Sequence, residues 1–194
     1  MVARLWPWTG LTRTARRFAA ERGGVSAVEF ALILPLMLLI YAGCGELTSA
    51  LVLDRKVSRA ASTISDLVAQ QTSVSSSSMA NIFDAATAIF EPYRTSTAKL
   101  VVVVVNVTSS GQTVVWSQAR NDTAAPANTA PPSGLTVPGA IATTTGQVVV
   151  GRVTYAYSSP FANVMKSITG SDTYNLSHVF YLKPRQGTTI AFTS

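Results

Sequence analysis

The sequence predicts an α+β fold in which one long N-terminal helix packs on a small antiparallel sheet. Three patterns predict this fold. Residues 30–45 form an uncharged apolar run, and apolar residues at helical spacing follow it. The second half of the chain contains β-branched segments separated by turn residues. A helical half followed by a strand-rich half is typical of α+β proteins.

Composition limits the classes of function. Only 12% of the 194 residues are charged and 47% are hydrophobic, which excludes a disordered, highly charged tail. One cysteine and one histidine exclude an internal disulfide framework and a multi-cysteine or histidine-rich metal site. The net charge is +6, but residues 1–24 hold five arginines and one glutamate, a net +4. The remainder has no basic stripe, so we expect no nucleic-acid partner.

The apolar segment at residues 25–53 is long enough to cross a membrane, since a helical span takes about 20 residues. Five arginines precede it, whereas Arg55, Lys56 and Arg59 follow it. This excess favours a cytoplasmic N-terminus and an outward-facing C-terminal domain. Two carboxylates, Glu29 and Glu46, interrupt the apolar character. A charge in such a segment is costly, so Glu29 requires an explanation.

The residues around Glu29 carry a family resemblance. A basic leader, then Gly24, then an apolar helix with glutamate at the fifth position, resembles the class III signal of type IV pilins. The stretch ERGGVSAVEFALILPLMLLI resembles the opening of TadE/TadG-like proteins of the tight-adherence (Flp) pilus system. The chain is similar to the short, TadE-type member, because it has no D-x-S-x-S motif for the metal-dependent adhesion site of TadG-like members. Weaker similarities are the segment at 153–161 and Lys183-Pro184-Arg185.

This resemblance implies a minor pilin or pseudopilin with a pilin-like fold, needed for pilus assembly and cell adhesion. A prepilin peptidase would cut between Gly24 and Val25, and Glu29 would pair with the new amine of a neighbouring subunit. Pro35 would kink or loosen the helix. The implied partners are the peptidase, other pilins or pseudopilins, pilus assembly proteins and the bacterial inner membrane, with no cofactor and no small-molecule substrate. The protein would cross that membrane once and would either remain there or enter the extracellular pilus.

Other interpretations of the N-terminal region stay open. The residues also permit a cleaved signal peptide, a simple membrane anchor or a buried core helix, although Glu29 fits the first two poorly. Residues 40–44 resemble a lipoprotein box in which Cys44 would be lipidated. The alternative function is therefore an uncleaved, membrane-anchored or lipidated periplasmic binding domain. Arg16-Arg17-Phe18 lacks the spacing of a twin-arginine signal and is interpreted as a cytoplasmic anchor.

These patterns divide the chain into four segments. They are a basic leader at 1–24, a transmembrane segment at 25–53, an amphipathic helix extension at 54–71 and an outward α+β domain at 72–194. The helix extension is predicted from apolar residues spaced alternately four and three positions apart, namely Leu53, Val57, Ala60, Ile64 and Leu67. After a serine-rich break, Ser78 is expected to cap a second helix that Pro92 stops.

Four strands are expected in the second half. Residues 100–107 predict a strand buried on both faces, because they are apolar almost without interruption. Residues 113–118 would pair back as a hairpin, and residues 147–157 and 174–182 would add two more strands. Residues 121–145 contain four prolines and predict a surface loop. A short helix is expected at 160–168.

The remaining polar and aromatic residues predict no catalysis. His178 lies in a strand pattern without a sequence-adjacent ligand, so a surface or hydrogen-bonded histidine is expected. Asp122 and Asp172 are expected to make local backbone bonds. There is no phosphate loop, nucleophile elbow or acidic pair, and no metal site is expected. The aromatic residues Trp116, Tyr155, Tyr157, Tyr174 and Tyr181 suit either protein contact or core packing.

Overall fold

The fold is the predicted α+β arrangement, a helix packed on a small antiparallel sheet. The structure, a computed structural model, describes residues 23–142, 145–159, 166–167, 170–171 and 173–193. The chain divides into two compact units between Leu47 and Thr48. Most of the leader, most of the helix expected at 160–168 and the turn residue Asp172 lie outside the described residues.

Helix α1 runs from Gly23 to Ala69 and ends two residues before the expected position. From Thr48 onward one side of it is buried, and the buried residues include the predicted stripe members Leu53, Val57, Ala60 and Ile64. This side packs on the sheet through Gly151, where the glycine lies against Ala61, Ile64 and Ser65. A residue without a side chain at this point lets the helix approach the strand closely.

Helix α2 spans Ser76–Ala88 and follows the short strand β1, Ser73–Ser75. The expected cap was wrong: Ser75 is the N-cap, and its Oγ accepts a hydrogen bond from the backbone N–H of Ser78 at 3.1 Å. The serine run offers several hydroxyls, and the cap is the one that precedes the first helical turn. The apolar face of α2 is buried through Met79, Ile82, Phe83 and Ala86.

The main sheet has four antiparallel strands in the order β3-β2-β4-β5. They are β2 (Ala98–Thr108), β3 (Gly111–Arg120), β4 (Gly146–Ser158) and β5 (Thr173–Leu182). All four were predicted, and β2 is buried on both faces as expected. A second, parallel pair joins β1 to β6, Ala191–Thr193. Neither of these three-residue strands was predicted, because three residues carry too little periodicity to be recognised.

The helix-facing side of the sheet holds the larger core. Alternate residues of β2 and β4, such as Leu100, Val102 and Val153, pack with α1 and α2. Phe90 stacks on Tyr155 with ring centroids 5.4 Å apart. The Trp116 Nε1–H donates to the Ile190 carbonyl at 2.9 Å. Three of the five aromatic residues considered for protein contact, Trp116, Tyr155 and Tyr157, are therefore core residues.

The described part of the loop at 121–145 covers the other side of the sheet, so its interpretation as a surface loop was incomplete. Ala125, Leu135 and Val137 pack on the valines of β2 and β4 in a second core. The side chain of Gln112 fixes this cover by donating to the Val137 carbonyl at 2.7 Å and accepting from the Val137 N–H at 2.8 Å. High proline content prevented a strand here but did not prevent burial.

Shortening Leu135 tests whether this cover contributes to stability. The side chain is 1% exposed, so Leu135→Ala should lower the free energy of unfolding by about 2–4 kcal/mol through lost burial and a residual cavity. Thr136→Ala, at the adjacent exposed position, serves as the control and should change it by less than about 0.5 kcal/mol. Thermal or denaturant unfolding of the purified protein measures both. Equal stability of the two variants would contradict the assignment of the loop to the core.

Candidate functional site: the apolar segment of helix α1

The described residues contain one helix that is long and apolar enough to cross a membrane. The most hydrophobic 18-residue window has a mean hydropathy of 2.2, and none of it is buried. Exposure of so large a continuous apolar surface to water is unfavourable. The surface is therefore expected to contact lipid or other proteins. The exposed large side chains before Leu47 are Val25, Val28, Phe30, Leu32, Ile33, Leu34, Leu36, Met37, Leu38, Leu39, Ile40 and Tyr41.

The expected processing residues lie in the first turns of this helix. A side chain added at Gly24 would meet no atom within 4 Å, and Val25 is 61% exposed. Glu29 is exposed and, within the part of the chain that the structure describes, has no hydrogen bond or ion pair. Val25 and Glu29 are four residues apart and therefore share one face of the helix. A new amine at Val25 would thus lie one turn from the Glu29 carboxylate.

Pro35 lies inside the continuous helix. Because proline has no backbone N–H, the carbonyl of Ala31 loses its usual donor four residues later. Membrane helices tolerate such a site when a neighbouring helix or a local rearrangement satisfies the carbonyl. The kink or loosening expected at Pro35 remains a prediction.

The two carboxylates of the segment differ in environment. Glu29 is exposed, whereas Glu46 is only 9% exposed. Neither carboxylate oxygen of Glu46 has a hydrogen-bond partner among the described residues. Cys44, the residue of the lipoprotein alternative, lies two positions earlier and is exposed on the helix. The sequence marked both carboxylates, but only the structure separates an exposed one from a buried one.

The polar residues of the folded domain serve packing between elements. The His178 Nε2 lies 2.8 Å from the Asp54 Oδ1, which links β5 to α1. Arg185 pairs with Asp66, and its backbone N–H donates to the Ala69 carbonyl at 2.8 Å. Lys56 donates to the carbonyls of Ile89 and Glu91 at 2.8 and 2.7 Å. His178 is the hydrogen-bonded histidine that was expected, but its partner lies 124 positions away and carries no local sequence signal.

The residues considered for chemistry form no catalytic arrangement in the described segments. Asp122 accepts from the Thr123 N–H at 2.9 Å, the local bond that was expected, and also lies 3.5 Å from Arg152. No group of three histidine, cysteine or acidic side chains is placed to hold a metal within the described residues. A cavity of about 150 Å³ lies between the start of β4 and residues 183–188, and Lys183 is the only ionisable side chain in its lining.

The family comparison covers the apolar segment and the helix beyond it. A family model described as TadE-like protein matches residues 24–65. Residues 24–65 form a TadE-like domain. This TadE-like domain begins at the expected last leader residue, contains Glu29, Pro35 and Glu46, and ends within the part of α1 that packs on the sheet.

The TadE-like family consists of structural proteins associated with Tad pili and is not known as enzymatic. The exposed apolar helix of the TadE-like domain fits a membrane anchor. No curated protein and no solved structure gives a significant match to the chain. The sheet and its covering loop therefore lie beyond the matched residues.

Proposed function

We propose that this protein is a minor pilin or pseudopilin that is processed by a prepilin peptidase and is needed for assembly of a tight-adherence pilus. The observation that carries the proposal is the start of the TadE-like domain. There Gly24, with no atom within 4 Å of an added side chain, is followed by an exposed apolar stretch of α1. Glu29, the fifth residue counted from Val25, has no hydrogen bond or ion pair in the described part of the chain. An adhesive filament built from such helices needs no catalytic site in this chain.

Processing and pairing are linked by charge. Cleavage after Gly24 leaves a positive amine on Val25 at the end of an apolar helix. A single charge at the centre of a membrane helix costs about 2.5–3.5 kcal/mol on insertion scales, and less near its end. When two such helices pack side by side with a stagger, Glu29 of one reaches the amine of the other, and each neutralises a charge that otherwise has no partner. Pairing therefore favours a bundle of helices over separate ones.

The proposed topology places the N-terminus in the cytoplasm and the folded domain on the other side of the inner membrane. The arginine-rich leader supports this orientation through the positive-inside rule. Arg55, Lys56 and Arg59 follow the apolar segment. Of these three cations, Lys56 donates hydrogen bonds to backbone carbonyls of the folded domain. The domain would contact other pilins or assembly proteins, and the half-buried Tyr174 and Tyr181 are its candidate aromatic contacts.

The mature N-terminus tests the proposal. Mass spectrometry of protein from native membranes should find a chain that starts at Val25 when the prepilin peptidase gene is present, and an unprocessed chain when it is deleted. Gly24→Phe should reduce processing to background, because a bulky side chain replaces hydrogen next to the bond that is cut. Gly23→Ala, one residue earlier, is the matched control and should be processed normally.

Two results would reject this function. A chain that retains Met1 whether or not the peptidase is present would identify an uncleaved anchor. A chain that starts at a lipidated Cys44 would identify a lipoprotein. Either result would leave a membrane-tethered binding domain as the better interpretation.

A further inference from the structure

Two arginines on the part of α1 that follows the apolar segment have no role in the folded domain. Arg55 and Arg59 are exposed, and neither has a hydrogen bond or ion pair in the described part of the chain. The carboxylates of Asp54, Asp66 and Asp84 already have cationic or histidine partners. The domain therefore presents two exposed positive charges, four residues apart on α1, that are free to contact an external anion.

These arginines share a helix face with exposed apolar side chains. Leu51 is 52% exposed and Val52 is 42% exposed. At about 100° per residue, Leu51, Arg55, Arg59 and Val52 lie within about 100° of one another around the helix axis. The opposite side carries Leu53, Val57 and Ile64, which are fully buried against the domain. We name the exposed face, made of Leu51, Val52, Arg55 and Arg59, the arginine face.

The order of residues along the arginine face matches the layers of a membrane surface. The two apolar residues come first, next to the end of the apolar segment at 25–53, and the two arginines follow within about two turns. A bilayer with its headgroups is about 40–45 Å thick, or about 27–30 helical residues. The segment has 29 residues, so if its first residue lies in one headgroup layer, its last residues lie in the other.

We propose that the arginine face binds an anionic phospholipid surface, with Leu51 and Val52 among the outermost acyl and glycerol groups and Arg55 and Arg59 on headgroup phosphates. This inference rests on the proposed function only in requiring that the apolar segment crosses the membrane. Guanidinium groups bind phosphate in a bidentate manner, and their aliphatic stems cover apolar surface. Contact on this face would fix the depth of the helix and the position of the domain above the membrane before any assembly.

The test uses the full chain in lipid nanodiscs, with fluorescent probes on single cysteines in a Cys44→Ser background. A probe at Met37→Cys reports whether the apolar segment lies in the bilayer. A probe at Val52→Cys reports contact of the arginine face, through quenching by lipids that carry a nitroxide near the headgroup. Bilayers of phosphatidylcholine are compared with bilayers that contain phosphatidylglycerol.

Quenching of the Val52 probe should be stronger in phosphatidylglycerol bilayers and should fall in high salt, since screening weakens surface charge. Each arginine near an anionic surface favours contact by about fivefold, so Arg55→Gln with Arg59→Gln should weaken contact by about 25-fold. Arg94→Gln with Lys99→Gln, two exposed cations outside the helix, is the control of equal charge and should leave contact unchanged.

The outcomes separate this inference from the proposed function. An unquenched Met37 probe would reject the membrane segment itself, and the proposed function would fail with it. A second outcome would overturn only the present inference. In it, the Met37 probe is quenched, but quenching of the Val52 probe changes neither with anionic lipid nor with the arginine substitutions. The inference would also be overturned if quenching of the Val52 probe depended on the number of protein copies per nanodisc and not on anionic lipid. That result would assign the arginine face to contact with a second copy.

Discussion

Replacing Gly151 with alanine should lower the free energy of unfolding by about 3 kcal/mol, because it forces a methyl group between the sheet and α1. The new Cβ would lie 2.1 Å from the Ser65 Oγ, 3.2 Å from the Ile64 Cγ1 and 3.3 Å from the Ala61 carbonyl oxygen. Ser65 is fully buried and donates to that same carbonyl at 2.8 Å, so its hydroxyl cannot move away without losing its bond. Either this bond breaks or the helix shifts.

The midpoint of thermal unfolding should fall by about 6–12 °C, given about 2–4 °C per kcal/mol for a domain of this size. Gly139→Ala is the matched control, because a Cβ there meets nothing within 4 Å and its backbone angle is ordinary. It should be neutral or slightly stabilising. Adding Ser65→Ala to Gly151→Ala should restore part of the loss by removing the nearest atom. Equal midpoints for the two glycine variants would show that α1 does not pack on β4 at this point.

Replacing Glu29 with alanine should leave cleavage after Gly24 largely intact but reduce assembled pili by about tenfold or more. The physical reason is that the amine on Val25 would be left without a partner. An unpaired charge costs of the order of 2.5 kcal/mol at the centre of a membrane helix. A tenfold decrease in assembly corresponds to about 1.4 kcal/mol, which is less than this cost. The amount of sheared pilin measures assembly, and the mature mass measures cleavage. Together they separate a defect in pairing from a defect in processing.

The control for Glu29→Ala is Glu91→Ala, which removes an exposed carboxylate from the folded domain at equal change in charge. It should leave pilus output unchanged, since the Lys56 bond at this position is to the backbone carbonyl. Glu29→Asp should restore part of the output, because the charge returns on a shorter side chain. Normal pilus output from Glu29→Ala would reject the pairing role and leave the carboxylate without a function in assembly.

Local patterns predicted the regular elements well. Long apolar runs and 3-4 spacing predicted α1, and β-branched segments predicted β2 to β5 within a few residues of their ends. Side-chain alternation was less reliable near an irregularity. Val114 and Trp116 are two residues apart, which suggests one face, yet they belong to opposite cores. The register of β2 with β3 shifts between Val104 and Val105, and such a bulge reverses the alternation.

The residues of the candidate site could be singled out from the sequence because their signals are local, and their roles remain predictions. The spacing of Gly24, Val25 and Glu29 and the apolar run after them lie in one stretch of sequence, and the TadE-like match covers that stretch. The arginine face was not predicted. Arg55, Lys56 and Arg59 look alike in sequence, and only their contacts distinguish the lysine that holds the end of α2 from two arginines with no partner in the described residues.

Periodicity and hydrophobicity act over neighbouring residues, so they were enough to predict an apolar helix with a carboxylate near its start and a strand-rich half after it. The folded chain was needed to show that the proline-rich loop covers the sheet, that β6 pairs with β1 and that His178 contacts Asp54. These contacts join residues far apart in the chain. Their formation depends on which buried surfaces and hydrogen bonds remain to be satisfied once the elements have packed.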